Sequence, residues 1–143
     1  MTTLHGQCHC GNIEMVFTTA LIPDQLRLRA CVCSFCRRHG ARTISDPAGQ
    51  LEIVVHSDRN LSRYRFGLKT ADFLLCRECG IYVGAVVEID GVWYATVNVN
   101  IFVSEPDLRR EAAPVNYEGE TESERILRRQ SHWTPARINL GSL

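Results

Sequence analysis

"CVCSFCRRHG", residues 31–40, places three cysteines, Cys31, Cys33 and Cys36, within six positions. Zinc held by cysteine takes four tetrahedral ligands, and this stretch supplies three. Two further groups flank it in the chain: "CHCG", residues 8–11, with Cys8 and Cys10, and "CRECG", residues 76–80, with Cys76 and Cys79. Alternate residues of a strand point to one side, and C-x-x-C turns two thiols toward each other, so each group can chelate. The first and third groups end in Cys-Gly, at Gly11 and Gly80, where a positive φ lets backbone amides approach the sulfurs, whereas the middle group continues as Cys36-Arg37. That difference divides the seven. Cys8, Cys10, Cys76 and Cys79 are expected to close one structural zinc site, and Cys31, Cys33 and Cys36 to form a second with a position left open. An open position on zinc is where a substrate atom or water binds and is activated.

Other uses of the triad compete. His39, three residues past Cys36, would make it a second closed structural site, and His5 and His9 are weaker ligands on the other knuckle. Cys33 and Cys36 also have C-x-x-C spacing, but redox use of that motif expects a βαβ setting, which these strands do not suggest. Zinc with three thiolates carries a formal charge of −1. Arg37 and Arg38 follow at once, either to offset that charge, to bind carboxylates of an incoming thiol, or as solvated surface groups.

Composition sets the bounds. A chain of 143 residues is expected to form one domain over residues 1–143, with a core at about 4–104 and a C-terminal extension over 105–143. Acidic and basic residues balance at 16 each, which argues against a polyanion-binding arm or bulk nucleic-acid binding. Fifteen of those bases are arginine, Lys69 being the exception; the bias fits an acidic ligand or genomic composition. The start, "MTTLHGQCHCGNIEMVF", lacks a basic segment followed by an apolar run, and no stretch nears the roughly 18 apolar residues of a membrane span. The expected location is the cytoplasm, where an odd count of seven cysteines reads as metal binding rather than as disulfides.

The rest of the chain reads mainly as strand. β-branched or alternating segments recur in "NIEMVFTT", "QLRLRACVC", "LEIVVHS", "FLLC", "IYVGAVVEI" and "VWYATVNVNIFV". The last two flank Asp90-Gly91, a type I′ turn pair, which predicts a hairpin over residues 81–100 with Gly84 marking a bulge. Ser34 is expected to cap a single turn carrying Cys36, and "SEPDLRR" to form another after Ser104. "TESERILRRQ" is expected to form a short peripheral helix, with Thr121 and Glu124 at capping-box spacing. Glu118, Glu120, Glu122 and Glu124 read as a solvated loop and helix start.

Taken together, "GQCHCG", "CVCSFCRRHG" and "FLLCRECG" resemble the glutathione-dependent formaldehyde-activating family, which also includes the centromere protein V relatives. The resemblance runs from about Gly6 to Gly80 and extends toward Val103, with all seven cysteines in the family's order. It implies a β-tent of antiparallel sheets with two zinc ions. Cys8, Cys10, Cys76 and Cys79 match the family's structural site, and Cys31, Cys33 and Cys36 its catalytic one. The implied activity is a carbon-sulfur lyase or synthase reaction, glutathione plus formaldehyde giving S-(hydroxymethyl)glutathione. Thiol delivery from zinc is favoured over Lewis-acid activation of the carbonyl, because three thiolates already donate charge to the metal. His39, Tyr82, Trp93 and Tyr94 are the side chains weighed as proton donor to the developing alkoxide. The tail from Glu105 carries no motif that maps to glutathione, and no long basic extension supports the centromere-protein role. The alternative from another class is a non-catalytic binding module in which the second zinc is also structural.

Overall fold

The computed structural model describes residues 1–141. Strand accounts for 41% of the chain and helix for 21%, so the protein is mainly β. Eleven strands join in one open, mostly antiparallel sheet. β1 (Thr2–Gln7) and β2 (Ile13–Thr19) form a hairpin closed by the Cys8–Cys10 loop, and β2 pairs with β5 (Gln50–Val55). Every second residue of β2 is buried, Ile13, Met15 and Phe17 among them, as a strand with one face on a core requires. Leu51, Ile53 and Val55 of β5 meet them. Each such side chain contributes about 1.5–3 kcal/mol on leaving water.

The expected hairpin is present as β8 (Tyr82–Ile89) and β9 (Val92–Asn98). Asp90 and Gly91 both have positive φ, 52° and 80°, as a type I′ turn requires. β7 (Asp72–Cys76) pairs with β8 and with β6 (Leu61–Tyr64). Its register with β8 shifts between Leu74 and Leu75, next to Gly84. Glycine is needed there for a second reason: a Cβ would stand 2.5 Å from the Thr96 carbonyl oxygen.

β9 is where the sheet forks. Along one edge it pairs with β8; on the other, Trp93–Ala95 meet β11 (Thr134–Leu140), while Val97 and Asn98 meet β4 (Thr43–Ile44). Beyond β4 lie β3 (Arg29–Cys31) and β10 (Ala113–Val115). Two pairs are parallel, β3 with β10 and β5 with β11. The tail expected as an extension therefore supplies β10 and β11, and β11 sits between β5 and β9. Ser142 and Leu143, the end of that expected extension, lie outside the described residues.

Helix α1 (Ser34–His39) carries Cys36, but its cap is Cys33 rather than Ser34: the Cys33 sulfur accepts from the Cys36 amide. A cysteine sulfur thus takes the place of the usual hydroxyl acceptor. Helix α2 (Glu122–His132) begins with the expected capping box, Thr121 with Glu124. A 3₁₀ turn over Pro106–Arg109 fulfils the expected turn after Ser104.

Candidate metal centres and the cavity beside them

The seven cysteines gather into two groups, and within each the sulfurs lie within 4.8 Å of one another. Cys8, Cys10, Cys76 and Cys79 form the first. Its two knuckles are built alike. The Cys8 amide donates to the Ile13 carbonyl, and the Cys76 amide to Ile81; Gly11 donates back to Cys8, and Gly80 to Cys76. Gly11 and Gly80 have φ of 86° and 81°, the left-handed turn expected at both Cys-Gly steps. The turns aim amides at sulfur, Ile13 to Cys8 at 3.3 Å and Cys79 to Cys76 at 3.4 Å. Cys10 lies 3.8 Å from Cys8 and 3.5 Å from Cys76. A tetrahedron with metal–sulfur bonds of about 2.3 Å has edges of about 3.8 Å, so this donor set suits a zinc ion. Burial raises Cys8, and raises Cys76 to about 12; burial opposes ionisation of Cys79 too, but amides of Cys10 and Ile81 bring it down to about 6.

Cys31, Cys33 and Cys36 form the second group, and among the described residues no histidine, aspartate, glutamate or fourth cysteine joins it. The His39 ring packs instead at a tilt against Phe35, centroids 4.6 Å apart, at the exposed end of α1. His5 and His9 are exposed and join neither group. Arg37 and Arg38 are exposed, and Arg38 donates to the Ser34 carbonyl. A hydrogen bond from Cys36 lowers Cys31 to about 6 against the opposing effect of burial; Cys36, the donor and itself buried, is raised. The triad thus readily holds at least one thiolate.

Beside the triad lies a chamber of about 60 Å³, walled by Cys31, Cys36 and Tyr82 with Phe73, Arg29, Arg128, Arg129 and Trp133. Tyr82 is 2% exposed, and burial, followed by the neighbouring cysteines, holds its phenol well above the usual tyrosine pKa. Of the four side chains weighed as proton donor, Tyr82 alone lines this chamber; Trp93 and Tyr94 pack toward the sheet near β11. A larger cleft of about 340 Å³ adjoins, reaching Cys31 and Cys33 past Phe66, Leu68, Tyr117 and Arg125. A separate hollow of about 330 Å³ along β2, β5 and β11 contains no cysteine.

The tail supplies walls that its sequence does not announce. Arg128 makes two hydrogen bonds to Glu120, at 2.6 and 3.0 Å, and stacks 3.5 Å over the Tyr117 ring. Arg125 also reaches Glu120, at 3.2 Å. Glu120 is therefore part of the cavity wall rather than a solvated loop residue. Burial works against its ionisation, yet hydrogen bonds and charge from Arg128 and Arg125 hold it below the ordinary glutamate range. A depressed carboxylate stabilises the fold fully above its unfolded value, about 4.3, and loses that contribution as pH falls through the folded value. Glu120→Gln is expected to flatten acid denaturation below about pH 4.3 and lower stability at neutral pH. Denaturant melts across pH check it.

Residues 3–118 match the glutathione-dependent formaldehyde-activating enzymes. The chain belongs to that family. A crystal structure of a Rhodobacter sphaeroides protein is similar at 34% identity and a TM-score of 0.60, covering 78% of this chain and 100% of that one. Among curated proteins none matches. The match to the glutathione-dependent formaldehyde-activating family ends before α2, so Arg125, Arg128 and Arg129 lie beyond it. Among the described residues no helix is long and apolar enough to cross a membrane.

Proposed function

We propose that this protein is a zinc-dependent carbon-sulfur enzyme that joins a thiol to an aldehyde and reverses that addition. Family membership points to glutathione and formaldehyde, with S-(hydroxymethyl)glutathione as product. The observation that carries the reading is a three-cysteine group, without a fourth ligand among the described residues, opening on a chamber that holds a buried tyrosine and arginines.

Cys8, Cys10, Cys76 and Cys79 would hold one zinc ion as a structural tie, and Cys31, Cys33 and Cys36 a second. Zinc in the triad would supply acidity, so that a thiol reaching its open position ionises below the free value of about 8.5. The chain's residues do the rest. Arg125, Arg128 and Arg129 at the cleft outnumber Glu118 and Glu120, and the surplus positive charge draws an anionic thiol inward. Phe66 and Leu68 give the cleft an apolar part to its lining. As sulfur attacks the carbonyl carbon, the π pair moves to oxygen and needs a proton. Tyr82, kept protonated by burial on the chamber wall, is placed to give it.

Tyr82→Phe preserves the packing and removes the hydroxyl. Turnover is expected to fall by about 10²-fold with zinc content unchanged. An unaltered rate would remove Tyr82 from the mechanism. The open position is tested by replacing zinc with cobalt(II) and titrating with glutathione. The sulfur-to-cobalt charge-transfer band should grow with glutathione and not with its S-methyl derivative. Equal spectra with both would mean that no external thiol reaches the triad.

A further inference from the structure

Three arginines, Arg29, Arg128 and Arg129, line the chamber beside the triad, and no carboxylate does. Arg128 is committed to Glu120. Arg29 and Arg129 bond only to hydroxyls, Arg29 to Ser45 and Thr96, Arg129 to Thr70 at 2.7 Å. Among the described residues neither forms a salt bridge. Arg129 is only 6% exposed, and its Nε has no partner at all. A buried guanidinium left unpaired costs several kcal/mol, so its retention against a cavity wall calls for an acceptor that arrives from outside. Trp133, the residue that ends α2, holds the guanidinium in place 4.9 Å above its ring.

Size narrows the chemistry of that acceptor. At roughly 10–15 Å³ per water-sized group, the chamber has room for about four to six non-hydrogen atoms. A tripeptide thiol does not fit, although the adjoining cleft of about 340 Å³ gives it a place that shares Cys31 and Arg129 with the chamber. Formaldehyde enters easily but gives neither arginine an anionic partner.

We propose, building on the thiol–aldehyde reading, that the electrophile of this enzyme is a two- or three-carbon aldehyde bearing a carboxylate, held in the inner chamber by Arg129 and Arg29. The thiol enters through the outer cleft and meets it at the triad. The step is an addition: the thiol loses its proton, the C–S bond forms, and the carbonyl π pair goes to oxygen. That oxygen takes a proton from Tyr82, which the thiol's proton replaces, so no oxidant or reductant is consumed. A guanidinium pairs with a carboxylate through two parallel hydrogen bonds, which fixes where the aldehyde carbon lies.

The test is calorimetric titration of the zinc-loaded full chain with glyoxylate and with acetaldehyde, which has the same carbon count and no carboxylate. Glyoxylate is expected to bind at least about tenfold tighter, acetate to compete with it, and Arg129→Gln and Arg29→Gln each to weaken it by about tenfold or more. Equal binding of glyoxylate and acetaldehyde overturns the proposal, and this arm needs no variant, so it decides even if Arg129→Gln fails to fold. Folded, zinc-loaded variants with parental affinity overturn it as well. Adduct exchange with glutathione separates this proposal from the reading beneath it. Acceleration with formaldehyde but no glyoxylate preference keeps the reading and ends the proposal. Glyoxylate binding with no acceleration for any aldehyde ends both.

Discussion

The Cys79→Ser protein is expected to purify with one zinc ion in place of two, and to melt at least about 10 °C below its parent. The reason lies in what the four-cysteine group joins. Cys8 and Cys10 close the β1–β2 hairpin at one end of the sheet, and Cys76 and Cys79 close the β7–β8 turn on the other branch of the fork. Among the described residues no backbone ladder links those two turns directly. Structural zinc sites in small domains bind with about 10–16 kcal/mol, comparable to the whole stability of a domain. Cys79 is half-buried, so serine loses the ligand with little direct effect on packing. Zinc quantitation with a thermal melt checks the result. Two zinc ions retained at the parental melting temperature would show that the cysteines pair differently.

Cys33→Ser is expected to act in the opposite way, leaving the fold and one zinc ion while lowering adduct exchange to the spontaneous rate. Serine is chosen because Cys33 caps α1, and a serine oxygen can accept the same Cys36 amide. The helix therefore keeps its start while the proposed second metal site loses a sulfur ligand. Cys31 and Cys36 alone make a two-ligand site, too weak to retain zinc. If Cys33→Ser unfolds the chain as fully as Cys79→Ser, the triad is structural and the binding-module alternative takes over.

Much of this was legible in the residues. Gly11 and Gly80 announced two equivalent knuckles, and their absence after Cys36 set the triad apart. Asp90-Gly91 gave away the central hairpin because only residues tolerant of positive φ make that turn. The tail was harder for physical reasons. β11, "TPARINL", has a proline and an arginine and no clean alternation, and its long partner is a parallel strand some eighty residues earlier. Nothing local specifies such a pairing. Arg128 and Arg129 look like solvated helix charges until Glu120 and Trp133 are seen to hold them. Trp133 four residues after Arg129 was the available signal, since i and i+4 share a helix face. The cap at Cys33 was missed because cysteine is not an expected cap residue.

A catalytic role for the triad is tested by carbon-13 exchange NMR on glutathione and labelled formaldehyde, with zinc content quantified and the spontaneous reaction as reference. The parent is expected to speed interconversion of free and adduct forms, and Cys33→Ser to return the rate to the spontaneous value while keeping its fold. Parent protein with two zinc ions that leaves the exchange rate unchanged, for formaldehyde and glyoxylate alike, would contradict it.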